Sequence, residues 1–433
     1  MAQPYSALST EEIKGKLEKF YQLYKIYQGE DLKLDMSRGK PCTQQLDLSM
    51  GMYKVLEDTR DFFSEDGFDC RNYGILDGVP EAKRLFGELM GVPEEQLFIG
   101  GNSSLNLMYD ALAKFMLLGN ARSERPWCRE EKVKFICPVP GYDRHFGICE
   151  ELGIEMINVD MLPDGPDMDA VEALVAQDAS IKGMWSVPMY SNPEGTTYSA
   201  ETVRRLAAMK PAAPDFVLMW DNAYMVHHLE KERRDSLPNI LDVCAEYGSE
   251  DMPLVFTSTS KISLPGSGLA IMAGSRRTMA YMKKRILAQT IGPDKINQLR
   301  HVRFFKDVDG IMAHMEKHAA IIRPKFELVD TMLHRHLDGR EIGRWSKPYG
   351  GYFISFFTLD GCAKRVEQLC GDCGVKLTAV GATYPYGKDP HDANIRIAPT
   401  YPSLEELQKA MEIFCLAVKI ASLEQAARER LAA

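Results

Sequence analysis

Phe216-Val217-Leu218-Met219-Trp220-Asp221-Asn222-Ala223-Tyr224 is a run of large apolar residues that stops at a carboxylate. Such a run reads as a strand buried on both faces, of the kind found inside a mostly parallel sheet. Its end is informative, because an ionised carboxylate is costly to bury unless a positive group meets it. Taken alone, Asp221 reads more readily as a helix N-cap that follows a strand. The pattern recurs downstream, where Leu254-Val255-Phe256-Thr257-Ser258-Thr259-Ser260-Lys261 again halts at a charge. Lys261 alone also reads as an exposed loop residue. A lysine at the end of a buried strand is otherwise unusual, and one condensed with an aldehyde sheds its ammonium charge and becomes reactive. Asp221 and Lys261 together therefore point to a cofactor site.

Working outward, Val133 to Val139, Gly183 to Met189, Phe216 to Trp220, Leu254 to Ser258 and Leu269 to Ala273 are candidate strands. Helical patterns separate most of them, and Pro140-Gly141, Asn192-Pro193 and Pro265-Gly266 supply turns. This alternation predicts an α/β fold, a mostly parallel central sheet with flanking helices. Open sheets of this class bind ligands outside the carboxyl ends of their strands. Tyr142, Asn192, Asp221, Ser258, Ser260 and Lys261 all fall at such ends. From Gly310 the texture changes to a long helical segment, an apolar piece from Tyr349 to Thr358 and a short strand from Ala393 to Ala398, which predicts a smaller α+β domain. The expected division is an N-terminal arm with part of the small domain (1–55), a large domain (56–309) and a C-terminal small domain (310–433). Asp35 to Pro41 and Asp47 to Met50 read as extended entry segments of that arm.

Composition narrows the function classes. The 433 residues are 45% apolar and 26% charged, an ordinary globular balance, and the net charge of -9 argues against a nucleic-acid platform. Met282-Lys283-Lys284-Arg285, the best basic cluster, reads as a solvated helix face. No stretch approaches the ~20 apolar residues needed to span a bilayer. The chain starts Met1-Ala2-Gln3-Pro4 without signal-peptide character, and Ser9 to Glu12 form a capping box ahead of Ile13, Leu17, Phe20, Tyr21 and Tyr24. A structural helix at the start of a cytoplasmic protein is expected. The 10 cysteines suit a reducing compartment, and Cys370 and Cys373, the one C-x-x-C pair, read as helix-end packing and not as a metal site.

Four motifs in order, Asn192-Pro193-Glu194-Gly195, Asp221-Asn222-Ala223-Tyr224, Ser258-Thr259-Ser260-Lys261 and Asn394-Ile395-Arg396, resemble those of the fold type I pyridoxal-phosphate enzymes, which include the aspartate aminotransferases. The resemblance spans nearly the whole chain. Ser37-Arg38-Gly39-Lys40-Pro41 and Thr290-Ile291-Gly292-Pro293-Asp294-Lys295 are similar to the aspartate aminotransferase subgroup also described as alanine-glyoxylate or MocR-like enzymes. What this implies is a pyridoxal 5'-phosphate cofactor held as a Schiff base by Lys261. Asp221 would partner the pyridine nitrogen, Asn192 and Tyr224 the phenolic oxygen, and Tyr142 would stack on the ring. The turn Gly100-Gly101-Asn102-Ser103-Ser104, ahead of a helix, offers amides and hydroxyls for the phosphate. Ser258 and Ser260 would join it, with Tyr73 reaching across a homodimer interface into a shared active site. Arg396 would clamp the substrate α-carboxylate as a planar fork of donors. Arg38, within the Arg38-Gly39 stretch, and Lys295 are the candidates for a second substrate carboxylate. Relatives commonly place a phosphate-binding arginine after the lysine loop, where this chain has Gly268; another cation, or Ser267 with backbone donors, must serve there.

The implied activity is transfer of an amino group from an amino acid, aspartate being favoured, to a 2-oxo acid such as 2-oxoglutarate. A lyase or decarboxylase using the same cofactor is the second reading. A MocR-like regulator is the third, but roughly thirty residues before Asp31 cannot hold a winged helix.

Overall fold

The computed structural model describes residues 3–432; Met1, Ala2 and Ala433 lie outside the described residues. Its centre is an eight-stranded sheet in the spatial order Leu97–Ile99, Ala270–Gly274, Pro253–Ser258, Val217–Asp221, Ile181–Ser186, Lys134–Val139, Glu155–Leu162 and Gly165–Pro166. Pairing is parallel from Pro253–Ser258 through Glu155–Leu162, and antiparallel where Ala270–Gly274 and the two edge strands join. All five expected strands are present, each shifted by a few residues at most, with Ala270–Gly274 running against its neighbours.

Val217–Asp221 is buried throughout, as its unbroken apolar run requires. Leu218 and Trp220 pack into the core on one face of the sheet, and Val217 and Met219 into the core on the other. Glu155–Leu162 is a strand that the sequence reading does not pick out. It lies near the sheet edge with Glu155, Asn158 and Asp160 exposed, so its apolar content is diluted.

A separate core joins the two ends of the chain, from Tyr5 to Met36 and from Ile322 to Leu423. Around it lie the antiparallel strands Gly343–Trp345, Ile354–Thr358 and Asn394–Ile397 and the helices Val308–Leu337, Ala363–Asp372 and Leu404–Ala432. Leu34–Asp35 pairs in parallel with Val375–Lys376, which stitches the N-terminal segment to this body. The capping box expected at Ser9 and Glu12 opens the helix Thr10–Gln28.

One expectation is corrected. Asp47 to Met50 is not extended: Thr43–Asp47 is helical and Met50–Lys54 forms a 3-10 turn. Gln45 is the reason, since its Oε1 accepts from the Cys42 amide at 3.1 Å and its Nε2 donates to the Tyr352 hydroxyl at 2.9 Å. Tertiary hydrogen bonds thus close a turn that local sequence leaves open. The basic cluster is also only partly a solvated face. Met282 is buried, and Lys283 Nζ is paired with Asp77 at 2.7 Å. Cys370 and Cys373 lie buried at the end of the helix Ala363–Asp372, and all ten cysteines are free thiols. Among the described residues no helix is long and apolar enough to cross a membrane.

Candidate active site

A cavity of about 520 Å³ opens between the carboxyl ends of the central strands and the second body. Arg38, Gly39, Tyr142, Asn192, Tyr224, Lys261 and Arg396 line it, residues from six places in the sequence. Lys261 follows Pro253–Ser258, with Nζ 5.1 Å from the Tyr224 ring centre and 5.8 Å from that of Tyr352. Burial pushes its ammonium below the usual lysine value; the Asp221 carboxylate opposes that shift and Arg396 adds to it. Tyr224 is shifted well up by burial, and Tyr142 is pushed up to about 12, again chiefly by burial. Both phenols are hydrogen-bond donors at neutral pH.

Asp221 ends its strand with both carboxylate oxygens buried. Oδ2 accepts from His145 Nε2 at 3.0 Å, whereas Oδ1 has no partner among the described residues. His145 is itself stacked on Trp185, 4.1 Å between ring centres and 6° from parallel. A buried acceptor left single is rare in a folded protein and marks a place where a donor belongs. A protonated pyridine nitrogen is such a donor, and so the residues present fit pyridoxal phosphate.

Arg396 is nearly buried on Asn394–Ile397, over the Phe353 ring at 4.9 Å. Its Nη1 donates to Asp143 Oδ1 at 2.9 Å and to Asn192 Oδ1 at 3.2 Å, and Nε reaches Thr378 Oγ1 at 3.4 Å. Gly39 lies against the other part of this stack. A Cβ there would sit 2.3 Å from Phe353 Cζ, so the close approach excludes any side chain.

Asn102, Ser103, Ser104, Ser258 and Ser260 gather in a second cluster beside Lys261 and do not line the cavity. Ser103 caps the helix Ser104–Leu118, Ser260 Oγ donates to the Asn102 carbonyl at 3.2 Å, and Ser258 Oγ reaches Ser260 Oγ at 3.2 Å. A helix N-terminus ringed by hydroxyls suits a phosphate. Gly268 cannot be the expected arginine for a steric reason, because its Cβ would stand 2.8 Å from Thr259 Oγ1. Arg300 instead brings a guanidinium to the same loop, hydrogen-bonded to the Ser267 hydroxyl and to Asn297 Oδ1, with its buried Nε unpartnered among the described residues.

Tyr73 and Lys295 stand apart from the cavity. Tyr73 is 79% exposed, and Lys295 is buried with Nζ 5.9 Å from the Phe68 ring centre. They belong to one neighbourhood, since Phe68 also packs on Gly74 and the Gly292 loop lies against the carbonyls of Gly74 and Ile75. His145, Asp143 and Arg300 are the residues that sequence reasoning misses. Tyr142 and His145, three apart at the start of a helix, carry a readable signal for the first; the pairings of Asp143 and Arg300 depend on partners remote in sequence.

The fold and this cavity together define an enzyme of the pyridoxal-phosphate aminotransferase class. Residues 8–430 match the family described as aspartate amino-transferase, and the chain belongs to that family. An aspartate aminotransferase of Corynebacterium glutamicum is 43% identical over 417 residues, covering 96% of this chain and 94% of the relative. A Mycolicibacterium smegmatis protein described provisionally as an aminotransferase is 45% identical over 421 residues, 97% of this chain and 98% of that one. The crystal structure of an aspartate transaminase from C. glutamicum superposes with a TM-score of 0.95 at 42% identity, covering 98% of this chain and 100% of the other. The cofactor of the family is pyridoxal 5'-phosphate.

Proposed function

We propose that the cavity moves the amino group of aspartate to a 2-oxo acid such as 2-oxoglutarate, with Lys261 as the group that bonds the cofactor and carries the proton. The observation that bears most weight is a half-buried lysine in the same cleft as a buried carboxylate that has one oxygen unsatisfied among the described residues. Pyridoxal phosphate, when bound, supplies an electron sink for the pair released at the substrate Cα. Asp221 would hold a proton on the ring nitrogen through Oδ1, with His145 fixing that carboxylate through Oδ2. Tyr142 would pack against the ring, and Asn192 and Tyr224 would donate to its oxygen. Lys261, shifted toward its neutral form, would take the substrate Cα proton as a general base. Ser258, Ser260 and the Asn102 to Ser104 turn would hold the phosphate, with Arg300 as the cation that stands in for the arginine absent at Gly268.

Arg396 binds the α-carboxylate, and the substrate must displace Asp143 from Nη1 to use the full fork. Arg38 lines the same cavity and serves the side-chain carboxylate from within the chain. Lys295, the other candidate, reaches a substrate only in a neighbouring copy. Its proximity to exposed Tyr73 supports a homodimer in which both residues serve the partner's cavity. Free thiols at all ten cysteines support a cytoplasmic location. Purified enzyme should transaminate aspartate far faster than alanine or aromatic amino acids; the opposite ranking contradicts the substrate assignment.

A further inference from the structure

The turn that carries Lys261 contains carbonyls that no strand or helix can satisfy. Within Thr259 to Ser263 the amides of Ile262 and Ser263 bond back to the Thr259 carbonyl, at 2.9 and 2.7 Å, and the carbonyls of Lys261 and Ile262 face the interior. Buried carbonyls of this kind need side-chain donors. Histidines from three different parts of the chain meet the turn. His227 Nε2 lies 3.3 Å from the Lys261 carbonyl oxygen, and His314 Nε2 lies 2.9 Å from that of Ile262. His301 Nε2 lies 2.8 Å from Ser263 Oγ and 3.2 Å from Thr259 Oγ1.

Hydrogen-bond chemistry fixes the proton on two of the rings. Carbonyl oxygens only accept, so His227 carries its proton on Nε2, whereas His314 Nε2 faces His318 Nε2 at 3.1 Å and Ser49 Oγ at 3.4 Å as well as the Ile262 carbonyl. His301 Nδ1 faces the Asn297 carbonyl at 2.8 Å, so its proton is on Nδ1 and Nε2 accepts from the Ser263 hydroxyl. His227 Nδ1 is buried without a partner among the described residues, which an imidazolium could not tolerate. Burial pushes His227 down to about 3 and His301 to about 4, and lowers His314 as well. A neutral donor matters here. Arginine or lysine in the place of His227 would set a second fixed charge beside the lysine that has to lose its own.

We propose that His227, His301 and His314 form a clamp of uncharged imidazoles that positions the Lys261 turn, and through it the lysine nitrogen, for the reaction. These are positioning residues, since each touches the turn and none lines the cavity. The proposal rests on Lys261 being the cofactor-bonding group. His227 is the sharpest probe because its bond to the Lys261 carbonyl is the only hydrogen bond its side chain makes among the described residues.

The test compares His227→Leu, which removes the donor, with His227→Gln, whose amide nitrogen can stand where Nε2 stood, in cofactor-loaded enzyme. The midpoint of the pH titration of the cofactor–lysine absorbance band is read beside kcat and KM. His227→Leu is expected to shift that midpoint and to lower kcat about tenfold or more with KM changed less than about twofold, the pattern of a misplaced catalytic group. His227→Gln should return both toward the parent values. A folded His227→Leu enzyme with unchanged midpoint and kcat, or a His227→Gln enzyme no better than it, overturns the clamp. Nitrogen NMR of the unmodified protein decides the matter should the variants not fold. Neutral rings at all three, protonated on Nε2 at His227 and on Nδ1 at His301, support the proposal; an imidazolium at any of them, or the opposite tautomer at His227 or His301, overturns it. Absence of the absorbance band in the parent enzyme would strike the cofactor assignment instead, and the tautomers would still decide the clamp.

Discussion

At the scale of single residues the site is a set of charges in which one acid and one base are mutually dependent. Lys261 and Asp221 were legible because each interrupts an apolar run, and Arg396 because it follows Asn394 on a short strand. Asp143 was not legible: its partner is more than two hundred positions away, and nothing local says that it will sit on Arg396. Its position has a kinetic consequence. As a carboxylate of the protein it competes with the substrate α-carboxylate for the same nitrogen, so Asp143→Asn should lower KM for amino acid and 2-oxo acid alike. A gain of a few-fold is expected, since a charge-assisted hydrogen bond is worth about 1.5–3 kcal/mol before the remaining contacts offset it. Steady-state kinetics with both substrates checks this, and a raised KM would show that Asp143 helps to bind the substrate.

At the scale of elements, the strands were read from continuous hydrophobicity, a signal that works where both faces are buried. It failed at Glu155–Leu162, near the edge, and at Thr43–Asp47, where the buried Gln45 is held by tertiary partners. One pair stabilises the central strands from below. Lys182, on Ile181–Ser186, meets Asp215, just ahead of Val217–Asp221, at 2.8 Å, and both are buried. Asp215 also accepts from Ser123 Oγ at 2.6 Å and Trp127 Nε1 at 2.8 Å. Burial alone would raise its carboxyl, but these donors outweigh burial and hold it below the usual range. Lys182→Met leaves the charge without its cation and should cost about 3 kcal/mol in urea unfolding, as breaking a buried pair does. The sign of the pH effect follows from the lowered pKa. The stability due to Asp215 is complete above about pH 4, the unfolded value, and is lost as pH falls through the lower folded value. Unfolding of the parent protein measured below pH 4 should approach that of Lys182→Met; a constant difference across that range would refute the pairing as its source.

At the scale of the whole molecule, the cavity lies where two cores meet, one built on the central sheet and one on the joined ends of the chain. The change of texture near Gly310 is visible in the sequence, whereas nothing there foretells the gathering of Tyr73, Phe68 and Lys295 away from the cavity, because these residues come together only through tertiary packing. The proposed dimer makes a definite forecast. Chains carrying Lys261→Ala, mixed and refolded with chains carrying Tyr73→Ala and Lys295→Ala together, form hybrids in which one cavity bears both lesions and the other bears neither. Activity should recover to about a quarter of the parent level, as random pairing of a twofold dimer gives. No recovery would mean that each chain completes its own site.

The central claim is that Lys261 and its surroundings run a transamination half-reaction, and stoichiometry tests it most directly. Cofactor-loaded enzyme is mixed with aspartate in the absence of any 2-oxo acid, and the products are quantified while the cofactor–lysine absorbance band is followed. The account predicts that the band bleaches, that oxaloacetate forms in an amount equal to the bound cofactor and then stops, and that 2-oxoglutarate restores the band. Continued release of pyruvate and ammonia, or a band that aspartate leaves untouched, would contradict it.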